Sequence, residues 1–439
     1  MVRVSDVAPA RHAGNPNSWI AADFVPIFAI GLSCCTALPH NRNDMNRPVA
    51  IASLAACISA VRAAPLAVEF RSAANLGSTA IDQNGTSFTV AGMSGIVRIH
   101  GDEYAAIQNN SNRIAKLIVT LNADGSIASA AIKPGIGGGL TMAHSGDFED
   151  IAFPGVARNR VRLSEESSPE IREYDFTSGA SIRSIPRPAV YANRRSNFGF
   201  ECLSLSRTQM SMWSCNEEAL SVDGPLSTAS AGTLVRILRY ANDLPTPAPI
   251  AQFAYLTDPV HGSFVSGSRS GVSQIVALPN GKLLTLERSF GFGSSFYQTR
   301  IYEVDVSAAS DVSGLATLVG TNFTKATKRL LHTGDYTNLE GLCLGPKLAS
   351  GGYALLGIID DDDPISVNRV VSFRLTGDVD STCPADLNED GVVDDADFIR
   401  FAQSYDLLLD PVGDLDLNET SDDEDFVLFS AAYDALVCP

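Results

Sequence analysis

A repeated unit of short strands constrains the fold of this 439-residue chain more than any other feature. Three strand-like runs recur along residues 65–377, separated by turns rich in Gly, Asn, Asp and Ser. The four clear copies and one weaker copy begin, in that order, at Asp147, Phe200, Val272, Leu339 and Ser78. Because helical periodicity is nearly missing from these residues, the pattern predicts an all-β domain.

Copies of this size, with three or four strands each, are typical of the blades of a β-propeller. Residues 65–377 therefore predict about six blades of roughly 50 residues each. We expect the early strand at residues 66–70 to close the ring by joining the last blade. The fold class predicted for the chain is an all-β propeller of about six blades, followed by a small all-α module at residues 378–439.

Acidic residues recur at two points of each copy. The first and second acids are 16 residues apart in two copies and 20 apart in a third, and Ser273 takes the first position in the remaining clear copy. The full set is Glu149, Glu165, Glu201, Glu217, Glu287, Glu340 and Asp360. Since the innermost strands of a propeller surround one channel, we expect these like charges to share a cation, and oxygen ligands favour Ca²⁺ or Mg²⁺. The alternative stays open that each acid pairs with a nearby arginine: Arg162, Arg236, Arg288 or Arg369.

Four short motifs in this region resemble the phytase-like family, also described as esterase-like activity of phytase. They lie at residues 197–201, 284–289, 300–305 and 338–342, and the resemblance extends over roughly residues 66–375. It implies a β-propeller whose recurring Glu and Asp residues carry out phosphoester chemistry. The sequence departs from the family pattern at Cys202, which replaces a glycine, and at Ser273, which stands at an acid position.

The expected reaction is metal-assisted hydrolysis of a phosphorylated small molecule. A bound Ca²⁺ would polarise a phosphoryl oxygen and lower the pKa of a bound water, with an unpaired glutamate as general base. Arg288 or Arg195 would hold the phosphate oxygens through paired hydrogen bonds. The candidate catalytic residues are Glu201, Glu287 and Glu340, followed by Glu149 and Glu165.

Other functions are weighed against this one. The propeller could instead be a non-catalytic binding or scaffold domain at a cell surface, or belong to a polysaccharide-degrading assembly. The sequence has no Gly-x-Ser-x-Gly elbow, no His-Glu-x-x-His motif and no P-loop, which disfavours serine hydrolase, zinc protease and nucleotide chemistry. With 32 Lys and Arg against 50 Asp and Glu, the chain is a poor candidate for nucleic-acid binding.

The negative charge is concentrated in residues 378–439, which hold 18 acidic residues and a single basic one. Their order fits a calcium loop at residues 386–397, with oxygen ligands at positions 1, 3, 5, 9 and 12, a backbone carbonyl at 7 and glycine at 6. The pattern returns 28 residues later, where Glu419 replaces the glycine and is expected to strain the turn. The predicted ligands are Asp386, Asn388, Asp390, Val392, Asp394, Asp397, Asp414, Asp416, Asn418, Thr420, Asp422 and Asp425.

Each calcium-type loop precedes a helical aromatic pattern, and the duplicated unit resembles a dockerin module over residues 383–439. The resemblance implies calcium-dependent folding of this EF-hand-like module and docking onto a cohesin-like partner. Cys383 and Cys438 bracket the module and could join its ends.

The N-terminal residues predict export. A basic start at Met45, a short apolar run and a small-residue cleavage site make residues 45–64 a signal peptide, with residues 1–44 as a mis-assigned extension. The expected mature protein is secreted or at the cell surface, has no membrane span, and consists of a propeller (65–377) and a dockerin-like domain (378–439). Export permits disulfides, and Cys202 and Cys215 are expected to face each other across a hairpin, leaving Cys343 over.

Overall fold

The computed structural model describes residues 64–435, apart from residues 156–157, 263–265, 292–296, 362–365, 406 and 408–409. The described residues belong to one compact unit. The predicted extension and all but the last residue of the predicted signal peptide lie outside the described residues. Among the helices that are described, none has the length and apolar character needed to cross a bilayer.

The described chain begins with three strands that precede the first complete blade. They are β1 (Ala67–Asn75), β2 (Thr79–Ile81) and β3 (Ser87–Thr89). Strands β2 and β3 form a separate two-stranded hairpin. The weaker repeat copy that begins at Ser78 is therefore this hairpin and not a blade.

Twenty further strands build five antiparallel sheets arranged as blades. Blade I contains β4 (Met93–His100), β5 (Glu103–Gln108), β6 (Ser111–Leu121), β7 (Ile127–Ile132) and β8 (Gly139–Gly146). Blade II contains β9 (Phe148–Ala152), β10 (Arg160–Glu165), β11 (Glu170–Asp175) and β12 (Ser181–Ile185). Blade III contains β13 (Phe200–Leu205), β14 (Ser211–Asn216), β15 (Leu234–Ala241) and β16 (Ala248–Leu256).

The ring is completed by two more blades. Blade IV contains β17 (Arg269–Ala277), β18 (Leu283–Phe290), β19 (Tyr297–Asp305) and β20 (Thr327–Gly334). Blade V contains β21 (Leu339–Lys347), β22 (Tyr353–Ile359) and β23 (Arg369–Thr376). Its fourth strand is β1, which pairs antiparallel with β23. This confirms the expectation that the early strand closes the ring.

The expected count of about six blades is wrong, because the ring has five. Two physical features explain the difference. The weak copy at residues 78–90 is a hairpin, and long connections at residues 217–233 and 306–326 make some blades longer than the 50 residues assumed.

Apolar packing between neighbouring blades holds the ring together. Five buried clusters fill the five interfaces, and each combines side chains from two adjacent sheets. Strand β1 contributes Val68 to the cluster between blades IV and V. Faces of stacked sheets pack by interdigitating such side chains, so every blade depends on both of its neighbours.

The C-terminal module has two helices, α1 (Asp395–Tyr405) and α2 (Asp423–Ala435), each preceded by an acidic loop. Phe401 and Phe429 stack in its core with ring centroids 4.8 Å apart. Both are almost fully buried among Leu387, Val393 and other apolar residues. Equivalent residues of the two copies thus form one shared core.

The cysteines follow the predicted positions. Cys202 and Cys215 are opposite each other on β13 and β14, with buried free thiols whose Sγ atoms are 2.9 Å apart. Cys343 is also a buried free thiol. Cys383 is disulfide-bonded, whereas its predicted partner, Cys438, lies outside the described residues.

Candidate functional site

A β-bulge occurs at the same point of every innermost strand. In each pairing of the first and second strands, one residue of the first strand is skipped in the register. A bulge leaves its extra residue unpaired and re-aims the side chain. We call the five skipped residues the bulge ring: Ser94, Glu149, Glu201, Ser273 and Glu340.

The sequence alignment of the repeats is therefore structurally correct at its first position. Ser273 occupies the same place in blade IV as the glutamates of blades II, III and V. Glycine beside the bulge permits the close approach of neighbouring inner strands. A Cβ atom on Gly341 would lie 2.8 Å from the carbonyl oxygen of Ser94 and 2.9 Å from the Cα atom of Gly95. The narrow ring thus brings the bulge residues of adjacent blades together.

A second ring comes from the following strands. In each blade, the residue before the bulge pairs with a residue of the second strand. The residue that follows this partner along the second strand belongs to the second ring. In four blades its backbone N–H donates to the carbonyl of the residue two before the bulge. The members of this partner ring are Asn109, Glu166, Glu217, Arg288 and Asp360.

Together the two rings create an acidic cluster around one arginine. We define the acidic cluster as Glu149, Glu166, Glu201, Glu217 and Glu340. Carboxylate oxygens of Glu166, Glu201 and Glu217 lie within 4.8 Å of one another, and the same holds for Glu166, Glu149 and the neighbouring Asp147. The Arg288 guanidinium pairs with Glu340, lies 3.4 Å from Glu217 Oε1 and donates to Asn338 Oδ1 at 2.5 Å.

Burial and mutual repulsion disfavour ionisation in this cluster. Burial, followed by the charge of Glu340, raises the pKa of Glu149. Burial and the charge of Glu217 raise the pKa of Glu201 and bring the pKa of Glu166 to about 8. The pKa of Glu217 is also raised by burial, although Arg288 opposes the shift. One arginine does not compensate five carboxyl groups, so the cluster favours a bound proton or cation.

Three predicted acids lie outside the acidic cluster, and two of them, Glu165 and Glu287, also lie outside the partner ring. Glu165 pairs with Arg172 at 2.9 Å. Glu287 is fully buried and accepts hydrogen bonds from Tyr255 and Lys328, at 2.5 and 2.6 Å. Glu165 and Glu287 each immediately precede a partner-ring residue. Because successive side chains of a strand point to opposite faces, neither acid points toward the acidic cluster. The expected convergence of seven acids therefore holds for Glu149, Glu201, Glu217 and Glu340, but not for Glu165 and Glu287.

The remaining candidates are also placed. Asp360 belongs to the partner ring and accepts from the Asn109 side-chain amide at 3.4 Å. Arg195 donates to the backbone carbonyls of Ala219 and Gly224 and is not part of the acidic cluster. Sequence reasoning missed Glu166, although it directly follows Glu165, because the pattern alone does not fix which of two adjacent acids faces the channel.

The donor set of the acidic cluster fits a hard divalent cation. It offers carboxylate oxygens, which suit Ca²⁺ and Mg²⁺. Among the described residues, Glu166 Oε1 is a buried oxygen without a hydrogen-bond partner. A cation at this point would balance the negative charge of the carboxylates that Arg288 alone does not neutralise.

The two acidic loops repeat one hydrogen-bond pattern. The carboxylate of Asp397 accepts the backbone N–H groups of Leu387, Asn388 and Asp394. Asp425 accepts the equivalent groups of the second loop, from Leu415, Asp416 and Asp422. Both carboxylates are fully buried.

Oxygen ligands from Asp414, Asp416 and Asp425 lie within 4.8 Å of one another, so the second loop gathers part of its predicted ligand set. Gly391 has φ +89° and Glu419 has φ +78° at the same loop position. The expected strain at Glu419 is therefore present in the backbone.

The fold and site define a class: a five-bladed propeller whose channel is lined at one end by a buried cluster of carboxyl groups. Comparison with curated proteins gives no match. A family pattern, however, matches residues 89–363, from β3 past the end of β22. The chain belongs to the phytase-like family, described as esterase-like activity of phytase.

Two solved structures illustrate remote likenesses to this chain. The PQQ-bound aldose sugar dehydrogenase from Streptomyces coelicolor is 12% identical, with 71% of this chain and 99% of that chain covered and a TM-score of 0.31. An endo-arabinase from Bacteroides thetaiotaomicron is 15% identical, with 65% and 94% covered and a TM-score of 0.34. Similarity at this level carries no argument about the function of this chain.

Proposed function

We propose that this protein is a metal-assisted phosphoester hydrolase whose active site is the acidic cluster. The observation that carries the proposal is the set of four buried carboxyl groups, together with the partly buried Glu340, around the single guanidinium of Arg288. Membership of the phytase-like family supports the same chemistry. The expected substrate is a phosphorylated small molecule, because the site lies at an end of the channel where inner strands of adjacent blades approach closely.

The residues of the cluster have separate tasks in this proposal. Glu166, Glu201 and Glu217, whose carboxylate oxygens lie within 4.8 Å of one another, would hold Ca²⁺, which supplies Lewis acidity for a phosphoryl oxygen and a lowered pKa for a bound water. Glu149, whose pKa is raised by burial, would hold or release a proton beside them. Arg288 carries the positive charge that attracts a phosphate group, and Glu340 orients its guanidinium.

The test is hydrolysis of phytate and of a simple phosphodiester by the purified full chain with Ca²⁺. Glu201→Gln should lower kcat/KM by at least about 100-fold, because it removes a charged ligand from the site. Glu170→Gln is the matched control, since Glu170 lies on β11 and pairs with Arg172 away from the cluster. No turnover of either ester by the wild-type protein would overturn the hydrolase proposal.

A separate readout addresses the metal alone. Replacing Glu201 should reduce the number of tightly bound Ca²⁺ ions by one, measured by calcium titration of the full chain. If the ion is lost in Glu201→Gln while the wild type turns over no ester, the channel is a binding site. That outcome would favour the alternative of a non-catalytic propeller.

We propose in addition that the protein is exported and anchored through its C-terminal module. The acidic loops would hold Ca²⁺, and four apolar side chains at equivalent places of the two helices are exposed: Phe398, Ile399, Phe426 and Val427. Such a paired apolar face suits a protein partner, and a cohesin-like module is the one that the dockerin resemblance implies.

Binding of the full chain to purified cohesin modules, with Ca²⁺ and with EGTA, tests this anchoring. Phe398→Asp combined with Phe426→Asp should abolish the binding. Val319→Asp, at an exposed residue of the propeller, is the control that should leave it unchanged. Equal binding by the double variant and the wild type would contradict the proposed face.

A further inference from the structure

The C-terminal module makes specific contacts with its own propeller, and their placement points to a second role. We propose that the module is an intramolecular cap, held by one glutamate from each acidic loop, over the channel end opposite the acidic cluster. The inference goes beyond the proposed hydrolase, because it concerns which surface the module occupies within the same chain.

The first contact comes from loop 1 (residues 386–397). Glu389 Oε1 accepts from the Thr208 hydroxyl at 2.5 Å, and Oε2 accepts from Ser211 Oγ at 3.0 Å and Arg239 Nη2 at 3.1 Å. Thr208 lies in the turn between β13 and β14 of blade III, and the other two donors lie on blade III strands. A carboxylate with three donors, one of them charged, is a strong anchor.

The second contact comes from loop 2 (residues 414–425) and reaches blade I. Glu419 pairs with Arg98, and its Oε2 accepts the backbone N–H of Gly101 at 2.9 Å. Glu419 is the residue that replaces glycine at the tight turn of the loop, with φ +78°. The substitution that strains the loop therefore supplies the propeller contact, which gives the departure from the calcium-loop pattern a structural purpose.

Arg207 links the starts of both loops to the propeller. Its guanidinium donates to the carbonyl of Pro384 at 2.5 Å and to that of Val412 at 3.2 Å. In return, Arg400 of α1 donates to the carbonyl of Thr208 at 3.0 Å. The four anchors formed by Glu389, Glu419, Arg207 and Arg400 are thus spread over blades I and III, on two sides of the channel.

The linker limits how far the module can move. Val379 is buried in the apolar cluster of blades IV and V, and its carbonyl accepts the backbone N–H of Asn280 at 3.0 Å. Loop 1 begins only seven residues later, at Asp386. A short tether keeps the effective concentration of the module at the propeller high, so modest contacts suffice for docking.

The covered surface is the far end of the channel. The acids of the bulge ring stand near the start of their inner strands, whereas the last residues of the same strands line a cavity of about 870 Å³. All five inner strands contribute to its wall, and Leu407, Pro411 and Leu417 of the module line its outer side. The module therefore covers part of a largely apolar chamber at this end of the channel.

Ca²⁺ bound in the loops would control this cap. Buried Asp397 and Asp425 lie among other acids, and a divalent ion offsets their repulsion. Without the ion the loops lose their conformation, and Glu389 and Glu419 lose their positions on the propeller. Docking of the module is therefore expected to require Ca²⁺, independently of any catalysis.

Hydrogen exchange of the full chain at residue resolution tests the cap without an activity assay. With Ca²⁺, the amide of Gly101, which donates to Glu419, should be protected, and EGTA should raise its exchange rate at least about tenfold. Arg98→Ala combined with Arg239→Ala should raise it similarly with Ca²⁺ present, while the amides of Gly391 and Asn418 inside the loops stay protected.

Arg369→Ala is the control, because Arg369 donates to Asn75 at the edge of blade V, away from the module. The cap proposal is overturned if the Gly101 amide exchanges equally fast in the wild type and the double variant. It is also overturned if EGTA exposes the loops and leaves Gly101 protected. Neither result would bear on the hydrolase proposal, which concerns the other end of the channel.

Discussion

At the scale of single residues, the alternation of side chains along a strand decides which acids join the acidic cluster and which pair elsewhere. Glu165 and Glu166 are adjacent, yet the first pairs with Arg172 and the second belongs to the acidic cluster. Glu287 and Arg288 divide in the same way. The sequence showed that acids recur, but it could not predict which of two adjacent residues faces the channel. Each bulge shifts the register by one residue and so changes the alternation of side chains locally.

Glu166 gives a prediction about pH and stability. Its pKa of about 8 is above the unfolded value near 4.5, so the folded state binds more protons between these limits. Its contribution to the free energy of unfolding is therefore fully present below about pH 4.5 and falls as the pH rises to about 8. Glu166→Gln should remove this decline and make the calcium-free protein more stable than the wild type at pH 8, measured by urea unfolding in EGTA.

The difference between variant and wild type isolates this group from other titrating residues. At pH 5 the two proteins should have nearly equal stability, since Glu166 is then protonated when folded. Saturating Ca²⁺ should reverse the order at pH 8, because the variant lacks a carboxylate for the ion. A variant that is less stable than the wild type in EGTA at pH 8 would refute the assigned repulsion.

At the scale of elements, the repeats predicted most of the strands correctly but overestimated the number of blades. The four clear copies became blades II to V, since alternating apolar residues specify strands that pack on both faces. Blade I escaped notice because it has no acid at either repeat position: Ser94 stands at the first, and Gln108 and Asn109 stand at the second. The two helices of the C-terminal module were predicted from their duplicated aromatic pattern, and the structure contains both, as α1 and α2.

The bulge of blade V is followed by a glycine, which leads to a second prediction. A Cβ atom on Gly341 would lie 2.8 Å from Ile358 Cγ2 and from the Ser94 carbonyl oxygen, so Gly341→Ala should push blades V and I apart. We expect a loss of about 1–3 kcal/mol in the free energy of unfolding. Gly314→Ala is the control, since no atom lies within 4 Å of its Cβ position. Equal stability of the two variants would show that the inner strands can separate without cost.

Loop 2 provides a third prediction, in which two measurements move in opposite directions. Glu419→Gly relieves a left-handed backbone that costs a non-glycine residue about 1–2 kcal/mol, so the second loop should bind Ca²⁺ roughly tenfold more tightly. The same change removes the partner of Arg98 and should deprotect the Gly101 amide. Glu419→Gln keeps the strain and should show weaker docking without tighter calcium binding, measured by calcium titration and hydrogen exchange.

At the scale of the whole molecule, closure of the ring joins the two ends of the propeller sequence. Ala67 pairs with Thr376 and Asn75 with Arg369, so β1 and β23 meet across almost the full length of the domain. The sequence suggested this pairing only because the early strand at residues 66–70 belonged to none of the repeat copies. It could not reveal that the acidic module rests on the propeller, because the anchors Arg98, Arg207 and Arg239 show no pattern that distinguishes them from other surface arginines.

Ring closure should be the last step of folding. Blades II, III and IV are built from consecutive strands, whereas the β1–β23 pairing must first close a loop of about 300 residues, and that entropy is lost before any contact compensates it. Pulse-labelled hydrogen exchange during refolding should therefore protect amides of β14 and β18 before those of β1 and β23. Val68→Ala, which weakens the β1 packing, should speed unfolding and leave the rate at which blade III becomes protected unchanged. Simultaneous protection of β1 and β14 would mean that the ring closes before its blades form, and the closing strand would then guide folding rather than complete it.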